Sequence, residues 1–296
     1  MKAKGRLVLG VVLPGLVVLL VSALAQGCGS GAGTAASLPA TTALEAPTTS
    51  ISAPPSVSTS TTAVSSNPER AQPVKAGTPR AWALAASALL TRFNGGRDDL
   101  LGMALATPRI VREEKQALVD WWEVNNREDL LAMLQWVEDG GHRKGWDDLA
   151  TYIAGLSSTE LTQFLAKVST NTELKHQVDM VRHYAPTLGS KSLLGWDYSR
   201  YICLCRWGYL CGYLTEAEAW DRIMPVAAML QKTFSSWAEL GQNYLIGREY
   251  WSYQQMMKDG DAIRAVYQDL LKSPTSPWKV NSWGMSLGVI AGETAS

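Results

Sequence analysis

The groups best placed to do chemistry in this chain are carboxylates and arginines set among aromatic side chains. In Trp196-Asp197-Tyr198-Ser199-Arg200 the acid and the guanidinium stand at i and i+3, and Arg248-Glu249 stands inside Asn243-Tyr244-Leu245-Ile246-Gly247-Arg248-Glu249-Tyr250-Trp251. At 100° per residue Arg200 falls within about 40° of Leu204, Trp207 and Cys211, so a charge sits on an apolar helical stripe. Arg248 lands in the same way beside Trp237, Leu240, Tyr244 and Trp251. A buried arginine needs paired, hydrogen-bonded partners, because an isolated charge in an apolar interior is expensive. Asp197 is the expected partner of Arg200; Glu216, Glu218 and Glu249 are the candidates for Arg248 across a helix contact. Two readings follow for these six residues. They form a structural ion-pair network, or their arginines grip a small anionic molecule or a partner's carboxylate. A third use is catalytic: Asp197, Glu218 or Glu249 as an acid–base group tuned by a neighbouring arginine, and glycosidase-like if two solvent-facing carboxylates lie about 5 to 9.5 Å apart.

Other reactive side chains offer less. His142 follows Gly140-Gly141 beside Arg143, on an expected loop, where it suits either proton transfer or the bonding of free carbonyls at a helix terminus. His176 and His183 share a polar helix face expected to be exposed. No His/Asp/Glu grouping has metal-ligand spacing, H-E-x-x-H is absent, and neither a nucleophile-elbow serine, a phosphate loop nor a dinucleotide fingerprint occurs. No metal or other cofactor is expected. Cys203 and Cys211 would lie about 12 Å apart along one helix, beyond the 7 Å reach of a disulfide, and Cys205 points elsewhere. Burial of at least two as small apolar side chains is expected.

The elements that must position these groups read almost entirely at the helical period. Residues 79–296 are expected to form an all-α, multi-helix globular domain with bent and paired helices, and they hold all twelve tryptophans. The spacing predicts helices over 80–93, 109–122 and from Asn126, an N-cap, to Gly140-Gly141 with Leu130, Leu131, Leu134 and Val137 inward. Shorter helices follow over 146–154 and 158–168, the latter under the capping box Ser157-x-x-Glu160. A helix over 173–184 is closed by Pro186, and the next spans 196–213. Thr215-x-x-Glu218 opens a helix carrying Trp220, Ile223, Ala227, Leu230 and Phe234, bent at Pro225. Ser236-x-x-Glu239 opens another that runs to about Trp251. A last helix is expected over 261–271, then an extended tail with Trp278 and Trp283.

Ahead of this domain lie two segments of different character. Lys2, Lys4 and Arg6 precede an uncharged run from Leu7 to Ala23 that ends in Leu24-Ala25-Gln26-Gly27-Cys28, so residues 1–27 read as a signal peptide. The junction resembles a bacterial lipobox, in which the cysteine thiol receives a diacylglycerol and the new amino terminus is acylated; Cys28 is then the lipid attachment site, palmitate the expected chain, and the membrane a partner. Each buried acyl CH₂ contributes about 0.8 kcal/mol, so two or three chains hold a domain at a bilayer. The alternative, an uncleaved spanning helix, is interrupted by Pro14 and Gly15, and both readings put the domain outside the cytoplasm. In residues 28–78, 38 of 51 are Ser, Thr, Ala, Pro or Gly, so this stretch reads as a disordered linker with a reach of roughly 40 Å. The chain is formally neutral, and loss of the three amino-terminal cations leaves −3 without a basic run, which argues against nucleic acid as a partner.

Trp196-Asp197-Tyr198-Ser199-Arg200, the block Arg206-Trp207-Gly208-Tyr209-Leu210-Cys211-Gly212-Tyr213 with Glu216, Glu218, Ala219 and Trp220, and Phe234-Ser235-Ser236-Trp237 with the Asn243 to Trp251 run together resemble the bacterial domain-of-unknown-function family 1266. Gly141-His142-Arg143 and Trp82-Ala83-Leu84 match more loosely, so the similarity spans about Trp82 to Trp283. It implies a mostly helical fold and a bacterial origin, and no established reaction. The expected function is a lipid-anchored binding or interaction domain on the outer side of a bacterial membrane, with an unknown protein or small anionic ligand as partner. The alternative is a hydrolase-like envelope enzyme.

Overall fold

The computed structural model describes residues 72–288. The expected signal peptide, Cys28 and the linker as far as residue 71 lie outside the described residues, as does the tail from residue 289. Among the described residues every regular element is a helix and no strand occurs. In chain order these are α1 (Pro79–Ala85), α2 (Ala88–Phe93), α3 (Pro108–Trp122), α4 (Arg127–Glu138), α5 (Gly141–Ala154), α6 (Ser158–Val168), α7 (Thr172–Leu188), a 3₁₀ turn (Gly189–Lys191), α8 (Leu194–Leu210), α9 (Glu216–Thr233), α10 (Trp237–Trp251), α11 (Tyr253–Lys272) and α12 (Pro277–Val280). The linker's last residues already bond to this body: the Val74 amide donates to Asp99 O at 2.7 Å and the Gly77 amide to Asn281 Oδ1 at 2.9 Å.

Side-chain caps set most of the starts, as their spacing suggests. Asn126 Oδ1 accepts from the Asp129 amide at 2.9 Å, and the reciprocal boxes Ser157/Glu160 and Thr215/Glu218 are both complete. Ser236 accepts from the Glu239 amide at 3.1 Å, but Glu239 returns its bond to the amide of Ser235 rather than of Ser236. Pro225 lies inside α9 and Gly212, at φ 78°, follows the end of α8.

The departures from the sequence reading have local causes. The expected helix over 80–93 is two helices, because the amide and hydroxyl of Ser87 both turn back to Leu84 O, at 3.1 and 3.0 Å. α5 starts five residues early, at Gly141, for a reason that involves a residue of α8. Pro186 sits inside the last turns of α7 instead of closing it at residue 184. α11 opens at Tyr253, eight residues early, where Ser252 Oγ accepts from the Gln255 amide at 3.3 Å. The tail is not wholly extended: Ser276 caps α12, and Trp278 is buried.

At the centre, α8 is buried from Gly195 to Leu210 except at Tyr198, and it packs most extensively on α9 and α10. α8 meets protein on every side, so its wheel has no solvent face to which Asp197, Arg200 or Arg206 could turn. α10 crosses α8 where Gly247 meets Trp196; a Cβ at Gly247 would lie 2.2 Å from Trp196 Cβ. The two ends of the described chain are clasped by tryptophans. Trp82 Nε1 donates to Trp283 O at 3.1 Å, Trp278 Nε1 to Ala85 O at 2.9 Å and Trp237 Nε1 to Asn281 O at 2.8 Å, while the Trp237 and Trp278 rings stack 5.9 Å apart. Each indole thus buries its area and satisfies its one donor.

Two glycine substitutions separate close approach from helix propensity. Gly247→Ala forces backbone movement at the α8–α10 crossing and should lower unfolding free energy by about 3 kcal/mol. Gly145→Ala in α5 meets only Tyr250 Oη, at 3.6 Å, and should be neutral or raise stability by up to about 1 kcal/mol. Urea titrations of both variants check this; equal losses would contradict the assigned crossing.

Candidate functional site

The start of α5 lacks a cap of its own. Gly140 and Gly141 precede the first turn at φ 142° and 52°, and neither has a side chain with which to hold the free amides. Asp197 on α8 holds them instead. The His142 amide donates to Asp197 Oδ1 at 3.2 Å and the Arg143 amide to Oδ2 at 3.0 Å. Gly141 is needed twice over, for its positive φ and because a Cβ there would lie 2.6 Å from Asp197 Oδ2. Asp197 is fully buried, and the positive end of α5 stabilises its charge. Arg143 reinforces the joint: Nη1 donates to Asp197 Oδ2 at 3.2 Å and to Val137 O at 2.7 Å, and Nη2 to Glu138 O at 2.7 Å. One guanidinium thereby closes the end of α4 and the start of α5.

Arg200 completes the group, as its i+3 spacing from Asp197 suggests. Its Nη1 lies 3.9 Å from Asp197 Oδ1 and 2.9 Å from His142 Nδ1, and its guanidinium lies 4.1 Å and 4.4 Å from the ring centres of Trp196 and Trp122. Arginine only donates, so Nδ1 of His142 accepts and the imidazole is neutral. Burial lowers the pKa of Arg200 to about 10, against the pull of Asp197. Burial likewise pushes His142 down, and the Arg200 charge adds to this. His142 is therefore a first-turn residue wedged edge-on to Trp136 and Trp196, not a loop acid–base group or a bond to free carbonyls.

Arg248 is buried as expected but finds a different acid. Nη2 donates to Asp259 Oδ1 at 2.8 Å, and the guanidinium lies 4.8 Å from the ring centre of Phe93. None of the three expected glutamates reaches it. Glu216 lies 3.8 Å from Arg80 and accepts from Trp220 Nε1 at 3.2 Å. Glu218 accepts from Arg127 Nη2 at 2.6 Å and from the Thr215 amide at 2.8 Å, and these donors, Arg127 foremost, lower its pKa to about 2. Glu249 faces away, 3.2 Å from His176 Nε2 and 3.6 Å from Arg264. His176 is thus half-buried, its ring centre 4.2 Å from that of Tyr253 and tilted 31° to it, whereas His183 is exposed.

Two members of this interior are not marked by local spacing. Asp259 lies ahead of the helix that the sequence predicts over 261–271, in the part of α11 that the structure adds. Arg206 lies off the Arg200 stripe, yet it is wholly buried because α8 has no exposed side. Its Nη1 donates to Ser87 Oγ at 2.8 Å and Thr91 Oγ1 at 2.7 Å, Nη2 to the carbonyls of Arg97 and Leu100 at 2.9 Å each, and Nε to Leu101 O at 3.2 Å. All five donors are used, and the segment after α2 is folded around them. Cys203, Cys205 and Cys211 are free and buried, as expected. Burial raises Cys203 to about 11 and Cys211 to about 12, so neither thiol is a ready nucleophile. Among the described residues no group of three or more His, Cys, Asp or Glu could hold a metal ion.

His142 generates a pH prediction. Its folded pKa lies below the ordinary value of 6.5, so on acidification the unfolded chain takes up the proton first. The stabilisation is complete above pH 6.5 and declines below it, by at most about 1.4 kcal/mol per pH unit. Denaturant titrations from about pH 7.5 to 5 should show that His142→Gln removes this component. Equal slopes in both chains would assign it to another group.

A model of a protein family of unknown function, DUF1266, matches residues 117–283. The looser match at Trp82-Ala83-Leu84 falls outside this range. Two uncharacterised proteins of Escherichia coli K12 are similar: YbeU, 28% identical over 144 residues, covering 48% of this chain and 60% of YbeU, and YbeR, 27% identical over 137 residues, covering 44% and 54%. The chain thus spans little more than half the length of these relatives. No solved structure matches it. The matched range contains Asp197, His142, Arg143, Arg200, Arg206, Arg248 and Asp259, more than half of the chain lies within it, and the protein belongs to the DUF1266 family.

Proposed function

We propose that this protein is a bacterial lipoprotein whose helical domain binds a partner at the extracytoplasmic face of the membrane, held there by lipid on Cys28 and set off from the bilayer by the linker. One observation carries the choice of binding over catalysis: the carboxylates that would have to act as acid or base are already engaged. Asp197 holds two amides and Arg143 in a fully buried position, Glu218 closes a capping box and pairs with Arg127, and Glu249 is set against His176 and Arg264. A general base must reach substrate with a lone pair to spare. These groups instead stiffen the domain, and a stiff body loses little conformational freedom when it binds. The two-carboxylate hydrolase arrangement gains no support from this geometry. The signal-like amino terminus, the Ser/Thr/Ala/Pro-rich linker and the absence of a basic run support an envelope location and a protein or small anionic partner over nucleic acid.

Mass spectrometry of the amino-terminal peptide from the native host should find Cys28 as the first residue, carrying a diacylglyceryl thioether and an acylated amine. Cys28→Ser should move most of the protein from the membrane to the soluble extracytoplasmic fraction. An intact Met1 or an unmodified Cys28 would overturn the anchor. Pull-down of the lipidated full-length chain from native membranes should recover one recurring, saturable partner; turnover of an envelope substrate abolished by Glu249→Gln would favour the enzyme instead.

A further inference from the structure

Three polar groups at the contact of α8 and α10 have no hydrogen-bond partner although each is buried: Trp196 Nε1, Tyr244 Oη and Arg248 Nε. The residues are 2%, 1% and 7% exposed. A buried donor left unpaired carries its whole desolvation cost, and native interiors rarely leave several in one place. Here they belong to one packed group. The rings of Trp196 and Tyr244 lie 5.0 Å apart between centres, Tyr244 and Arg248 stand one turn apart on α10, and the Arg200 guanidinium lies 4.1 Å from the centre of the Trp196 ring.

The chemistry of the three groups selects their partner. The indole and the guanidinium nitrogen can only donate, whereas the phenol both donates and accepts, so three protons meet here and the phenol oxygen can take at most one from a neighbour; what completes the group is a further acceptor. A water would accept from two of them and then need acceptors for its own two protons, for which the three groups offer only the phenol oxygen. The charges point the same way. Three guanidiniums, of Arg143, Arg200 and Arg248, face two carboxylates, Asp197 and Asp259, while His142 is held neutral by the Arg200 bond. One positive charge is left over in an interior where an uncompensated charge is costly. Burial raises the pKa of the Tyr244 hydroxyl, and the charges of Arg248 and Arg200 oppose that rise, as does the close approach of the Arg248 guanidinium to the phenol oxygen, which falls short of good hydrogen-bond geometry.

We propose that this contact is a site for one small monovalent anion of halide size, which accepts hydrogen bonds from Trp196 Nε1, Tyr244 Oη and Arg248 Nε and neutralises the surplus guanidinium charge. A dianion such as sulfate would overshoot that charge by one. The anion would be an integral part of the α8–α10 contact, so the inference stands whether or not the chain is membrane-anchored.

Bromide tests it, because it replaces chloride and scatters anomalously. Crystals of the full chain grown in bromide should show one anomalous peak within hydrogen-bond reach of Tyr244 Oη and Arg248 Nε. At constant ionic strength, bromide should raise the melting temperature saturably, and Tyr244→Phe, which keeps the ring and removes the donor, should weaken the apparent affinity about tenfold, the loss of one hydrogen bond to a charged group. Arg248→Met is a poorer probe because it also breaks the Asp259 pair. A water without anomalous signal at this position, or an organic carboxylate in its place, would overturn the proposal. So would a bromide effect of equal size in wild type and Tyr244→Phe; the wild-type map decides independently of how the variant folds.

Discussion

A carboxylate from the central helix, Asp197, serves as the missing cap of another helix, and the polar interior is arranged around that contact. α5 begins with two glycines and has no side chain of its own to hold its first amides; Asp197 supplies the acceptor from α8. Because the acid is fully buried, its charge must be matched locally, and Arg143 and Arg200 match it from two sides. Arg143 then fixes the end of α4, and Arg200 fixes the acceptor role and neutral state of His142. Removing one member of such a buried set typically costs about 3 to 5 kcal/mol, because the remaining charges lose their compensation.

The same logic recurs along α8 and α10 with different partners. Arg206 is satisfied by carbonyls and hydroxyls, Arg200 by an imidazole and two tryptophan faces, and Arg248 by Asp259 and the face of Phe93. Planar guanidinium suits all three, since it can stack and donate in several directions at once. Each arginine therefore ties a central helix to a specific neighbour, which favours one arrangement of helices over others with equal apolar burial.

Residue types and spacing carry much of this structure. The caps at Asn126, Ser157 and Thr215 are legible because a capping residue and its N3 partner are neighbours in sequence. The Asp197–Arg200 pair is legible for the same reason, and the burial of Arg200 and Arg248 follows from their stripes. Spacing does not carry contact between distant segments. Nothing local marks Asp197 as the cap of a helix some fifty residues earlier, so residue types alone start α5 at Trp146 and leave His142 on a loop. For Arg248 the sequence offers glutamates close by or on a neighbouring helix, while its actual acid, Asp259, belongs to a helix that opens under Ser252, ahead of the predicted start. A one-sided helical wheel leaves Arg206 on the outer face, and the wheel does not apply to a helix buried on every side.

The most direct test of Asp197 as the organising contact is native-state hydrogen exchange at the amides of His142 and Arg143. First-turn amides have no intrahelical partner and ordinarily exchange fast. Held by a buried carboxylate, these two should be protected in the wild-type protein nearly as well as amides within α8. In Asp197→Asn they should lose that protection selectively, before the amides of α9 and α10 are affected. Fast exchange of both in the wild type, or unchanged protection in the variant, would contradict the account.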